Sequence, residues 1–332
     1  MLTAPLATRA FGSTPLTVTR IGVGVAALGR PGYLTLGRDE DLGDDRTIGA
    51  MERRCHEVLD HAYAAGVRYF DAARSYGLAE AFLASWFATR TLADGDVTIG
   101  SKWGYTYVGA WRLDATVHEV KDHSLEALRR QITESRAWLD GRLNLYQIHS
   151  ATLDGGVLDD RAVLAELARL RQEGLIIGLS VSGPRQADAL RHAFEVEVDG
   201  VNPFQSVQAT WNLLEPSVGP ALAEAHDRGW GVIVKEALAN GRLTARNAAP
   251  ESRHLREVAR RTGTPMDAVA IAAVLAQPWV DVVLSGAATV DQLRANLGAL
   301  DAALTPDDVE TLRTLAIPTE QYWRSRQALA WT

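Results

Sequence analysis

Eight short apolar runs recur along the 332-residue chain, and amphipathic stretches fill the gaps between them. The runs span residues 21–24, 68–70, 97–101, 145–148, 176–180, 204–208, 231–234 and 280–284. Each is apolar along its length, the pattern of parallel strands covered on both faces. Between them, Met51, Cys55, Val58, Leu59 and Ala62 repeat at helical spacing. So do Leu125, Leu128, Ile132, Ser135 and Leu139, and then Val163, Leu164, Leu167 and Leu170. Gly66, Gly174 and Gly229 stand where helices stop before the next strand. Eight strands alternating with helices predict an α/β chain closed as a (β/α)8 TIM barrel, with residues 1–332 as one domain. A doubly wound sheet shares the periodicity. However, no G-x-G-x-x-G forms a strand-to-helix turn, and GVGVAALG at 22–29 leads into a loop.

Three segments lie outside the repeat. Residues 8–19 turn around Gly12-Ser13-Thr14-Pro15 and predict a hairpin. Residues 29–48 form a polar loop whose acidic part, 39–45, reads as a solvated segment or a lid. The tail, 316–332, carries Tyr322, Trp323 and Trp331, too much apolar surface to hang in water, and is expected to pack over one mouth of the barrel. A net charge of −7 leaves no basic excess for phosphate contacts, which argues against nucleic acid. A lone cysteine, Cys55, excludes an internal disulfide, and a reducing cytoplasm is the simplest compartment. No apolar run reaches membrane length. His56 and His61, like His118 and His123, are five apart and diverge on a helix, so no metal is expected.

Barrels of this kind carry their chemistry at the C-terminal ends of the strands. There the chain offers Asp71 with Tyr76 close behind, then Lys102, then His149. A free tyrosine titrates near pH 10, and an adjacent ammonium is expected to lower that value. Asp71 would hold Lys102 in place, and His149 could donate to a carbonyl oxygen while Tyr76 protonates it. No side chain supplies hydride, so this set demands a nicotinamide cofactor.

FDAARSYG at 70–77, SKWG at 101–104 and LYQIHS at 145–150 resemble the three active-site motifs of the aldo-keto reductase superfamily. The likeness runs from Ile21 to Leu300. It implies a barrel closed at the bottom by the hairpin, with NAD(P)H extended across the top, and Asp71, Tyr76, Lys102 and His149 as the catalytic tetrad. It further implies cofactor contacts from Gly24, Ser180, Gln208, Lys235, Leu238, Gly241, Arg242, Gly286, Ala288, Gln292 and Asn296. Three of the family's positions are altered. Val181 stands for the usual asparagine, Lys235 for a ring-stacking aromatic, and Gln292 for an arginine common at the adenosine 2′-phosphate. NADPH is the expected cofactor, with NADH possible. Trp103, Tyr105, Trp111, Trp211 and Trp323 are expected around a hydrophobic or ring-bearing carbonyl substrate, a small molecule. The leading expectation is reduction of an aldehyde or ketone. A nucleotide-loaded regulatory subunit and a reductase of C=N bonds are the alternatives.

Overall fold

The computed structural model describes residues 6–93, 95–139, 141–247 and 252–332. Its strands are β1 (Thr8–Ala10), β2 (Thr17–Thr19), β3 (Ile21–Gly24), β4 (Tyr69–Asp71), β5 (Thr98–Trp103), β6 (Tyr105–Tyr107), β7 (Glu119–Lys121), β8 (Leu143–Ala151), β9 (Ile176–Val181), β10 (Ser206–Thr210), β11 (Gly231–Lys235) and β12 (Val282–Ser285). Its helices are α1 (Arg38–Leu42), α2 (Ile48–Ala64), α3 (Ala79–Ala88), α4 (Leu125–Leu139), α5 (Arg161–Gln172), α6 (Gln186–Phe194), α7 (Gly219–Asp227), α8 (Arg253–Thr262), α9 (Met266–Leu275), α10 (Val290–Leu297), α11 (Pro306–Arg313) and α12 (Thr319–Gln327).

Each of the eight apolar runs overlaps one strand of a closed parallel barrel, ordered β3-β4-β5-β8-β9-β10-β11-β12. Closure pairs Val283 of β12 with Ile21 of β3. The fold is therefore a (β/α)8 TIM barrel, with helices of the outer ring between successive strands. The strands bury both faces, which is why they read as unbroken apolar runs. Tyr69 fills the barrel interior because its neighbours have no side chains. A Cβ on Gly22 or Gly100 would come within 2.6 or 2.5 Å of the Tyr69 ring or its hydroxyl. Its hydroxyl in turn donates to Asp71 Oδ2 at 3.2 Å, one layer nearer the top.

The β1–β2 hairpin closes the bottom. Ser13 N donates to Gly229 O at 2.7 Å, and the Phe11 ring presses on Gly231 so closely that a Cβ there would sit 2.4 Å from it. At the top, a second antiparallel hairpin, β6–β7, stands beside the rim, which the sequence reading did not anticipate. The acidic loop contains helix α1 and is partly folded. The tail contains α12, and beyond it Trp331 stacks on His118 with ring centroids 4.2 Å apart. Tyr33 and Thr332 exchange backbone hydrogen bonds of 3.0 and 3.3 Å, so the tail lies over the mouth as expected. No described helix is long and apolar enough to cross a membrane.

Candidate active site

Three strand ends and the turn after β4 bring Asp71, Tyr76, Lys102 and His149 together. Asp71 is the last residue of β4, Lys102 lies in β5 and His149 in β8. Lys102 Nζ is ion-paired with Asp71 Oδ1 and donates to Ala72 O at 2.9 Å. Both partners are buried, at 0% and 2% side-chain exposure, so the pair persists only because other donors saturate the carboxylate. Gln208 Nε2 gives Asp71 Oδ2 a hydrogen bond of 2.9 Å, and Tyr69 adds its hydroxyl. Above the pair, Lys102 Nζ lies 5.0 Å from the centre of the Tyr76 ring. Tyr76 Oη and His149 Nε2 are 3.5 Å apart, with their rings edge to face. On the far side of the imidazole, Nδ1 is 3.3 Å from Ser75 Oγ.

The electrostatics differ from expectation at one residue. Burial pushes the Tyr76 phenol up from its usual value, and the Asp71 carboxylate adds to the rise, while the Arg30 guanidinium opposes it. Desolvation thus outweighs the lowering expected from Lys102. Burial also holds His149 well below the ordinary histidine value, helped by the positive charges of Lys102, Lys235 and Arg30. The imidazole is neutral at pH 7, and the phenol carries its proton.

These groups open into a cleft of about 610 Å³ across the top of the barrel. Asp71, Tyr76 and His149 line it. So do Gly24, Gln208, Lys235, Leu238, Gly241, Gly286, Ala288, Gln292, Asn296, Tyr105 and Trp323. Lys102 lies beneath the lining. Ser180 is one layer back, its Oγ accepting from Ser150 N at 2.8 Å, and Ser182 reaches the cleft in its stead. Arg242 turns away and stacks its guanidinium 4.3 Å from the Tyr322 ring.

Three of the five expected substrate aromatics do not reach the cleft. Trp103 follows inward-facing Lys102, so strand alternation points it outward, edge-on to His123. Trp211 follows Thr210 in the same way and packs on Trp279 at 5.7 Å. Trp111 donates Nε1 to Arg46 O at 2.8 Å and faces Phe82. Their places are taken by Tyr33 and Trp331, which with Tyr76 enclose the Arg30 guanidinium at 5.2, 4.7 and 5.2 Å. Arg30 Nη1 pairs with Glu119 Oε1 at 2.5 Å and donates to Ser75 O at 3.1 Å. A further, half-buried ion pair joins Glu236, just past β11, to Arg326 of α12, with Nε 2.8 Å from Oε2. Burial alone would raise Glu236, but Arg326 and Lys235 hold it at about 2. These pairings link residues 89 and 90 positions apart, through loops with no periodicity, and left no signal in the sequence.

The far end of the cleft fits a nucleotide. Asn296 donates Nδ2 to Ser285 Oγ at 2.8 Å, while its Oδ1, buried in the cleft wall, has no partner. A buried carbonyl oxygen left so calls for a donor from outside the protein. Beside it, Gly286 opens onto space in which a Cβ would meet nothing within 4 Å. Gln292 folds back, accepting from Ala288 N at 2.8 Å, and Arg294 points outward to Asp291 at 3.2 Å. Arg246 reaches across the cleft to Asp41 and Leu36 O.

Comparison with known proteins gives the same answer along most of the chain. The model of the Aldo/keto reductase family matches residues 43–317. Aldo-keto reductase str7 of Strobilurus tenacellus is 24% identical, covering 95% of this chain and 94% of its own. The NADH-specific methylglyoxal reductase of Escherichia coli is 23% identical over 94% and 98%. Among solved structures, aldo-keto reductase AKR11C1 from Bacillus halodurans superposes with a TM-score of 0.72 at 22% identity, covering 94% of this chain and 97% of that one. The glycerol dehydrogenase AKR11B4 of Gluconobacter oxydans gives 0.68 at 22% identity, over 93% and 94%. A match reaching through seven of the eight barrel strands, β4 to β12, places the protein in the aldo/keto reductase family.

Proposed function

We propose that the protein reduces an aldehyde or ketone with NAD(P)H, using Tyr76 as the proton donor. The observation that carries this reading is the convergence of Tyr76 Oη and His149 Nε2, 3.5 Å apart, directly above the buried Lys102–Asp71 pair. A carbonyl oxygen held by both atoms receives a hydrogen bond from His149 and a proton from Tyr76. The raised phenol suits this direction, because reduction begins from the protonated form. Lys102, fixed by Asp71 and Ala72 O, stabilises the phenolate that results. When bound, the reduced nicotinamide supplies hydride to the carbonyl carbon. Gln208, Ser182 and Lys235 would hold its ring end, Leu238 and Gly241 its middle, and Gly286, Ala288, Gln292 and Asn296 its adenosine end.

NADPH is the proposed cofactor, with Arg246 as the cation for the 2′-phosphate. A second reading, acceptance of NADH, is favoured by a specific observation: Gln292 replaces a cation and is turned to Ala288 N, and Arg246 is already paired with Asp41. The substrate is a small carbonyl compound that rests against Tyr33, Tyr105 and Trp331 and meets the Arg30–Glu119 pair. Methylglyoxal, the substrate in one relative's name, belongs in the first panel.

The test is NADPH and NADH oxidation with a panel of aldehydes and ketones, wild type beside Tyr76→Phe. Loss of a general acid is expected to lower kcat by about 100-fold or more. Unchanged turnover in the variant would refute the mechanism. Tight NADPH binding without turnover would favour a regulatory role. Imine reduction that survives His149→Ala would favour C=N chemistry.

A further inference from the structure

Lys235, at the reacting end of the cleft, has no carboxylate in direct ion-pair contact among the described residues. It ends β11, is half-buried, and gives two of its three donors to neutral hydroxyls, Thr210 Oγ1 at 2.8 Å and Ser182 Oγ at 2.9 Å. The carboxylates near it are already engaged, Asp71 by Lys102 and Glu236 by Arg326. No ion pair to Lys235 occurs among the described residues. It lines the cleft together with Gln208, Tyr76 and His149, and its charge is felt at the His149 imidazole.

We propose that the Lys235 ammonium makes the cleft discriminate between the two redox states of the cofactor, holding the neutral reduced nicotinamide more tightly than the cationic oxidised ring. The inference rests on the function proposed above. Hydride can reach a carbon whose oxygen lies between Tyr76 and His149 only from a nicotinamide beside them, and Lys235 borders that same space. The two cofactor forms share their phosphates, ribose and adenine and differ at this ring by one positive charge. Two like charges a few ångströms apart in a protein cleft repel by an amount that survives solvent screening. The charged groups around Lys235 are Glu236 of its own strand end, Arg326 of α12, Lys102 of β5 and Asp71 of β4, with His149 of β8 neutral. Burial draws the ammonium down to about 8, so a cationic ring bound near neutrality displaces part of its proton.

The experiment measures Kd for NADPH, NADP+, NADH and NAD+ at pH 7 in wild type, Lys235→Met and Lys235→Arg. The methionine keeps an apolar stem without the charge. The ratio Kd(oxidised)/Kd(reduced) is expected to fall about tenfold in Lys235→Met, equivalent to about 1.4 kcal/mol, and to persist in Lys235→Arg. A ratio unchanged in Lys235→Met overturns the proposal while leaving carbonyl reduction intact. Failure of wild type to bind any of the four cofactors overturns both. Calorimetry of wild type in two buffers of different ionisation enthalpy gives a reading that does not depend on a variant folding. Binding of the oxidised form at pH 7.5 is expected to release more protons than binding of the reduced form, and equal release refutes the proposal.

Discussion

The hydroxyl of Ser75 is fully buried, and its hydrogen-bonding choices decide which nitrogen of His149 carries the proton. If Nδ1–H donated to Ser75 Oγ, the serine proton would be left buried without an acceptor, a cost of about 1–3 kcal/mol. If Ser75 donates to Nδ1, every group is satisfied, and Nε2–H faces Tyr76 Oη, where the proposed mechanism places the carbonyl oxygen. Ser75 is thus a positioning residue. Ser75→Ala is expected to lower kcat between about five- and tenfold while cofactor Kd stays unchanged. Steady-state kinetics beside a cofactor titration check this, and an unaltered kcat would refute it. At this scale the grouping of Asp71, Tyr76, Lys102 and His149 was legible because each is among the first polar residues after an apolar run. Trp103 and Trp211 were misplaced because proximity to a strand end does not tell which face a side chain takes. The alternation from Lys102 and from Gln208 does tell it. Ser75, Arg30 and Glu236 went unread because their partners are distant in sequence.

Helix α12 (TEQYWRSRQ) is held to the barrel by side chains of opposite character. Tyr322 and Trp323 are buried, and Arg326 pairs with Glu236, whose backbone φ of 56° lies in the left-handed region. The sequence showed that the tail packs, because three large rings demand cover, but its polar composition hid the helix. The β6–β7 hairpin was hidden for another reason: three-residue strands carry no periodicity, and their pairing spans the loop between Tyr107 and Glu119. The elements that announced themselves were the eight barrel strands, shielded on both faces, the β1–β2 hairpin with its Gly12-Ser13-Thr14-Pro15 turn, and the periodic helices α2, α4 and α5. Arg326→Gln leaves the Glu236 carboxylate with the Lys235 charge as its remaining cation, and losing one partner of such a pair costs up to about 3 kcal/mol. Denaturant unfolding is expected to show a loss of that order, and Glu236→Gln in the same chain to recover part of it. Additive losses in the double variant would mean that the two side chains do not act as a pair.

α1 and the loop after β11 also meet across the cleft. Asp41 pairs with Arg246, Asn240 Nδ2 donates to Leu34 O at 2.8 Å, and Leu36 N donates to Asn240 O at 3.1 Å. If the proposed cofactor lies beneath this strap, Asp41→Asn is expected to speed release of NADH, which has no 2′-phosphate for the freed Arg246 to hold, by about threefold in stopped-flow, equivalent to about 0.7 kcal/mol. An unchanged release rate would show that the strap is not the barrier.

Across the whole molecule, histidines kept neutral by burial set the response to acid. His123 is drawn down to about 4 by burial, and His149 lies well below 6.5 for the same cause. The unfolded chain protonates both near 6.5, whereas the folded chain protonates His123 only near 4 and His149 only well below 6.5. Between these values the unfolded state binds more protons, so stability is complete above about pH 6.5 and falls as the pH drops. Each histidine contributes a slope of about 1.4 kcal/mol per pH unit. Glu236 extends the loss further. Its folded value of about 2 lies below the ordinary 4.5, so the stability it contributes above 4.5 disappears as pH falls toward 2. These three shifts have the same sign, while the carboxyls of Glu215, Asp267 and Asp281, raised by burial, act in the opposite sense and offset part of the loss at the acid end. Lys235, whose folded value of about 8 lies below the ordinary 10.5, adds a shallow decline as the pH falls from 8 to 7, and the urea midpoint should fall steeply from pH 6 to 5. His123→Gln keeps a donor for His149 O, which His123 Nε2 meets at 2.9 Å, but cannot titrate. It is expected to remove about half of the slope between pH 6.5 and 5. A midpoint that stays level from pH 7 to 5 in wild type would show that the imidazoles ionise freely in the folded protein, and would remove the burial argument for the neutral His149 of the proposed mechanism.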